Sequence, residues 1–97
     1  MAQVVYSRRA FQDLDRLTDF LMKEAPLSAV AAIDTLIDGI QILERHPLVG
    51  RRCEQGLREL VIAYGQRGYV ALYSYEPRAD VALILGIRHQ REAGFQE

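Results

Sequence analysis

The sequence predicts an α+β domain in which a helix hairpin packs on a small antiparallel sheet, in the order β-α-α-β-β-β. Three observations predict it. Apolar residues recur every three or four positions between Ser7 and His46, the spacing of two amphipathic helices. Three stretches rich in β-branched and aromatic residues follow Gly56, each bounded by turn residues, as strands of a meander are. A short β-branched run, QVVY, precedes the first helix.

Each element has its own local reason. QVVY reads as one strand, and Ser7 behind it can cap a helix. Phe11, Leu14, Leu17 and Leu21, with Ala10 and Phe20 beside them, form the apolar stripe of that helix. Arg8, Arg9, Asp13, Asp15, Arg16 and Asp19 are expected largely on its wet side. The helix should stop at Ala25–Pro26, because a residue before proline is pushed out of the helical region. Ser28 restarts the pattern. Ala29, Ile33, Leu36, Ile37, Ile40 and Leu43 keep helical spacing until His46–Pro47 ends it. A connection this short predicts two antiparallel helices.

Residues 47–56, PLVGRRCEQG, read as a loop from their proline and glycine content. LRELVIAY, GYVALYSYE and DVALILGIRH then read as strands, with turns at Gly65–Gly68 and Pro77–Asp80. Alternation places Tyr69, Ala71, Tyr73 and Tyr75 on one face of the second, opposite Val70, Leu72 and Ser74. It likewise groups Val81, Leu83, Leu85 and Ile87 of the third against Ala82, Ile84, Gly86 and Arg88. Both faces of this sheet are apolar enough that one should cover the helices and the other meet a partner.

Bulk properties fit one domain spanning residues 1–97. The chain is 49% hydrophobic and 26% charged, with a net charge of −1, an ordinary globular composition. That balance lacks the basic footprint of a generic nucleic-acid binder. No apolar run approaches the length of a membrane span, and the first residues lack a signal-peptide pattern, so a cytoplasmic protein is expected. The single cysteine, Cys53, excludes an intrachain disulfide and a cysteine zinc set. Arg51 and Arg52 could lower its pKa, but nothing marks a partner base. Of the twelve basic residues all but Lys23 are arginine, the side chain suited to bidentate pairing with carboxylates or phosphates.

Taken together and in order, LERHPLVGRR, GLRELVIAYGQRGYVALYSYE and ILGIRHQREAGF resemble the ParE branch of the RelE/ParE toxin superfamily. The resemblance covers nearly the whole chain. Its most specific parts are the P-x-x-G after the second helix, L-R-E-L, G-Y-V-A-L-Y and I-R-H-Q-R-E. It implies the toxin half of a type II toxin–antitoxin pair, held in a hetero-oligomer with a ParD-like antitoxin and directed at DNA gyrase. It implies no cofactor, no metal and no direct nucleic-acid contact.

The superfamily also contains ribosome-dependent ribonucleases of the RelE type. Cutting RNA at its own 2′-hydroxyl needs a base, an acid and cations around the phosphate. In the RelE branch these are lysines and arginines of the sheet, with a C-terminal tyrosine or histidine. Here LRELVIAY offers Arg58 beside Glu59 and no lysine, and Val70 stands where that branch often has an arginine. Arg91 could match one of its cations, but Phe95 has no hydroxyl. His89 titrates in the useful range, yet alone it is not a catalytic set. No catalytic residue is therefore expected, with the ribonuclease as the alternative reading and a non-toxic antitoxin-binding relative as a third.

The site expectations follow. Arg58 and Arg88 are expected to meet acidic residues of the antitoxin. His89, Arg91, Glu92, Arg51 and Arg52 are expected at the target surface. Plainer alternatives stand beside these: Arg58 and Glu59, on opposite faces of their strand, as ion-pairing edge residues; an acidic side-chain partner for Arg88; solvation for Arg51 and Arg52; and a structural His89 bonded to backbone or Glu92. The tyrosines of the second strand could stack bases, but spacing by two in an apolar strand is more often core. Gly65 and Gly68 suit turn geometry better than phosphate binding.

Overall fold

A computed structural model describes residues 1–92 and Phe95. Ala93, Gly94, Gln96 and Glu97, part of the polar tail expected after the last strand, lie outside the described residues. The elements are β1 (Gln3–Tyr6), α1 (Arg8–Glu24), α2 (Ala29–Gln41), β2 (Arg51–Arg52), β3 (Arg58–Tyr64), β4 (Arg67–Glu76) and β5 (Val81–His89). One-turn 3-10 segments at Ile42–Glu44 and Glu54–Gly56 flank β2. The order strand, two helices, three strands is the expected one, and the class is α+β.

The five strands form one sheet in the order β1-β5-β4-β3-β2. β3, β4 and β5 are the expected antiparallel meander. The sheet as a whole is mixed, which corrects the all-antiparallel expectation: β1 pairs parallel to β5, Gln3 beside Val81 and Tyr6 beside Ile84. The chain leaves β1, passes through both helices and three strands, and returns alongside it, so nothing local fixes the direction of that pairing. The loop reading of residues 47–56 is also corrected in part. Arg51 and Arg52 pair with Glu59 and Arg58 as a two-residue edge strand, too short to leave a periodic signal.

Both helices pack on one face of the sheet, α1 over β5 and α2 over β3. Leu17 and Leu21 of α1 and Leu36 and Ile40 of α2 meet Tyr69, Ala71, Tyr73, Ile84 and Ile87 from the sheet in one buried cluster. Each large aliphatic side chain so buried contributes about 1.5–3 kcal/mol of hydrophobic free energy. The close fit of α2 on β3 depends on Gly39, where a Cβ would stand 2.8 Å from the Ile62 side chain. Ser7 caps α1, its hydroxyl accepting from the Ala10 N–H at 3.1 Å. At the β3–β4 hairpin the ladder closes at Tyr64 opposite Arg67, and Gly65 supplies the positive φ (59°) that such a tight turn requires.

β5 carries a bulge. Leu72 pairs with Gly86 but Tyr73 pairs with Ile84, so Leu85 is the extra residue and the alternation slips by one. Ile87 and His89 therefore share the helix-side face with Ala82 and Ile84, opposite Ala71 and Tyr69. The single alternation expected along this strand, with Ile87 and His89 on the Val81 face, is corrected accordingly. Asp13 is a second correction: expected on the wet side of α1, it is 2% exposed.

Candidate functional site

β5 outruns its parallel neighbour. β1 ends at Tyr6, and the Ser7 N–H makes the last strand-like bond, to Ile84 O at 2.9 Å. From Leu85 onward the backbone of β5 needs other partners, because buried amides and carbonyls left unpaired are costly. α1 supplies them. The Ser7 hydroxyl donates to Leu85 O at 3.3 Å. The Asp13 carboxylate accepts the Ile87 N–H at 2.8 Å, and Arg16 donates to Ile87 O at 3.4 Å. Arg16 also lies 3.6 Å from Asp13 and 3.0 Å from Glu92, whose carboxylate accepts the His89 N–H at 3.1 Å. Asp13, Arg16 and Glu92 thus tie the end of β5 to α1. A carboxylate as buried as Asp13 is tolerable because it is both hydrogen-bonded and paired.

This staple fixes His89 and Arg91. His89 stands edge-on to Tyr69, ring centroids 5.4 Å apart, and its Nδ1 accepts the Arg91 N–H at 3.1 Å. That bond assigns the proton of the neutral ring to Nε2. Desolvation, then the Arg91 charge, holds the His89 pKa below the usual imidazole value; Glu92 opposes this and Arg67 adds to it. Arg88 points to the other face of the sheet. Its Nη1 lies 3.2–3.3 Å from the carbonyls of His89, Gln90 and Glu92, and its guanidinium stands 5.1 Å from the Phe95 ring centroid, within cation–π range.

Between α1 and the β4–β5 end of the sheet lies a cleft of about 630 Å³. Leu17, Phe20 and Leu21 form its apolar wall, and Tyr69, His89, Arg67 and Arg91 are among the other residues that line it. Tyr69 is 1% exposed, and its hydroxyl has no hydrogen-bond partner among the described residues.

The structure separates the remaining expected residues from this place. Arg58 lies at the opposite end of the sheet, across from Tyr73, and donates to Leu48 O at 3.0 Å and Gly50 O at 2.9 Å. Arg51 pairs with Glu59 at 2.6 Å, an exposed ion pair of the kind worth about 0–1 kcal/mol. Arg52 is exposed beside them. Arg58 and Arg88 occupy opposite faces as well as opposite ends, so a single docking segment meets both only by wrapping round the sheet. His89, Arg91 and Glu92 are brought together. Asp13, Arg16 and Tyr69 join them, and the sequence reading had missed all three. One signal was available for Asp13: with Ala10, Leu17 and Leu21 it shares a heptad-like stripe, all four buried.

On the face turned from the helices, β3 presents Glu59, Val61 and Ala63, β4 presents Val70, Leu72 and Ser74, and β5 presents Leu83 and Arg88. Arg88 is the only cation these three strands place there. No group of three His, Cys, Asp or Glu side chains among the described residues could hold a metal ion. No helix among them is long and apolar enough to cross a membrane.

Residues 4–94 match the family described as the ParE toxin of the type II toxin–antitoxin system parDE. The chain is 38% identical over 92 residues to Toxin RelE3 of Caulobacter vibrioides, covering 95% of this chain and 98% of that one. Toxin RelE2 of the same organism is 38% identical over 73 residues, 73% of this chain and 83% of the relative. Among solved structures, a chain of the chromosomal ParDE system from P. aeruginosa superposes with a TM-score of 0.77 at 22% identity, covering 92% of this chain and 96% of that chain. A chain of the RelBE2 toxin–antitoxin complex from Mycobacterium tuberculosis superposes with a TM-score of 0.59, also at 22% identity, covering 94% and 93%.

Proposed function

The chain belongs to the ParE toxin family of type II toxin–antitoxin systems, and from that membership we propose that it acts by binding a protein target, DNA gyrase, rather than by cutting RNA. The observation that carries this reading is the outward sheet face. A ribonuclease needs a base, an acid and several cations converging on one phosphate. The three central strands offer Val61, Ala63, Val70 and Leu72 there, with Arg88 as their one cation, and Arg88 is engaged by three backbone carbonyls.

In this reading the protein catalyses nothing and needs no cofactor; it works in the cytoplasm by holding gyrase on cleaved DNA. A ParD-like antitoxin neutralises it in a hetero-oligomer. Fold alone does not fix the target, since one fold carries several chemistries, and the RelE names of the two Caulobacter relatives favour the ribonuclease as the second reading. A gyrase supercoiling and cleavage assay, run beside messenger RNA cleavage on programmed ribosomes, separates the two. Linear plasmid with intact messenger RNA is the expected result. Cut messenger RNA with normal gyrase would replace the first reading by the second.

A further inference from the structure

The cleft between α1 and the end of β5 combines features that no core requires. Its lining includes a tyrosine whose buried hydroxyl has no partner among the described residues. A buried hydroxyl left unpaired costs about 1–3 kcal/mol; Tyr6 also lacks a partner among the described residues, but of the two only Tyr69 lines this cleft, where a ligand atom reaching it would complete its bonding. Beside it, the His89 tautomer fixed by Arg91 leaves an Nε2 proton to give. Arg67 and Arg91, which also line it, make no salt bridge among the described residues, whereas Arg16 is already paired with Asp13 and Glu92. Hydroxyl, imidazole N–H and two guanidinium groups are all donors, and together they ask for an anion.

The rest of the lining says which kind. Leu17, Leu21 and the half-exposed Phe20 form an apolar wall, so apolar groups must flank the charge. Glu24 and Glu92 also line the cleft beside Arg16, Arg67 and Arg91; three arginines against two glutamates leave one positive charge, a match for one carboxylate and not for the closely spaced charges of a nucleic-acid backbone. One carboxylate within an apolar segment fits both conditions.

We propose that this cleft is the target-docking site, and that it accepts a single aspartate or glutamate carboxylate flanked by apolar residues of the target protein, with Tyr69 Oη and His89 Nε2 as its donors. The proposal rests on the reading of this toxin as a protein-binding inhibitor. Arg67, Arg91 and Phe20 orient the incoming segment, and the Asp13–Arg16–Glu92 staple holds His89 where it can donate.

Two variants test it without threatening the fold. Tyr69→Phe removes only the unpartnered hydroxyl, and Phe20→Glu changes a side chain already 56% exposed. Neither should melt below wild type. Each should weaken gyrase binding and growth arrest about tenfold or more, Tyr69→Phe by losing one hydrogen bond to a charged group and Phe20→Glu by replacing an apolar contact with a carboxylate that repels the incoming one. Wild-type gyrase inhibition retained by both variants would overturn the cleft while leaving the toxin reading intact. A wild-type protein inert towards gyrase would instead sink that reading. The cleft is then decided separately, by NMR titration with the blocked tripeptide Leu-Glu-Phe, its Leu-Gln-Phe counterpart and a short single-stranded oligodeoxynucleotide. The glutamate peptide should move the His89 and Tyr69 signals and bind about tenfold tighter than the glutamine peptide. Equal binding of the two peptides, no binding by either, or tighter binding of the oligonucleotide would each overturn the proposal.

Discussion

Two buried tyrosines of β4, Tyr73 and Tyr69, lie on the same face of the same strand, four residues and roughly 13 Å apart, and are 0% and 1% exposed. Their surroundings differ completely. The Tyr73 hydroxyl donates to Pro47 O at 2.8 Å and accepts the Gly50 N–H at 2.9 Å, while Arg58 braces the same loop. Burial pushes the Tyr73 pKa up, and the Gly50 bond and Arg58 partly offset it. That end of the sheet is closed by the protein's own backbone. The Tyr69 end, lined by the His89 imidazole and a cleft, leaves its buried hydroxyl without a partner among the described residues. One residue type at equal burial therefore closes the structure at one end and is left without a described partner at the other, and the hydrogen-bond inventory tells them apart where burial does not.

The comparison can be broken or sharpened by substitution. The largest effect is expected at Asp13, because Asp13→Ala strands the buried Ile87 N–H and removes the ion pair with Arg16. A loss of about 3 kcal/mol is expected, read as a fall in the urea midpoint. A change below about 1 kcal/mol would mean that the β5 end does not depend on α1. Next comes Tyr73→Phe, which leaves the Gly50 N–H and Pro47 carbonyl without their partner and should cost about 2 kcal/mol. Tyr69→Phe, its counterpart, removes a hydroxyl with no partner among the described residues and should raise stability by about 1 kcal/mol. Equal losses for the two phenylalanine variants would erase the distinction between the two ends.

A smaller effect is expected from pH. The His89 pKa is lowered in the folded state relative to the ordinary 6.5, so between the two values the unfolded chain binds more protons. Stability from this site is fully present above the ordinary value and is lost as pH falls through the lowered one. Protonation would also break the acceptance of the Arg91 N–H by Nδ1. Thermal midpoints followed from neutral to mildly acid pH should fall more for wild type than for His89→Gln. Parallel curves would show that His89 is not linked to folding.

Much of this was legible in the chain. Ser7, the Leu17–Leu21 and Leu36–Ile40 spacings, Pro26 and the Gly65 turn signalled elements found at those places, and the ordered motifs from LERHPLVGRR onward carried the family. His89, Arg91 and Glu92 were also picked out together, being close in sequence. Arg58 and Arg88 could not be placed relative to each other, because they belong to different strands whose faces depend on register. Asp13 looked solvated because charge is normally a surface property, and only the free edge of β5 gives it a reason to be buried.

By itself, then, the sequence determined what short-range periodicity, capping and turn chemistry encode: two helices, a meander of strands, their boundaries and the kinship they spell out. The tertiary structure alone decided the parallel docking of β1, the bulge at Leu85 that turns Ile87 and His89 to the helix side, the burial of Asp13, and which tyrosine hydroxyls find partners among the described residues. The physical reason is range. A helix or turn is specified by residues within a few positions of each other, whereas register, edge closure and the last hydrogen-bond partner are set by groups as far apart as Asp13 and Ile87.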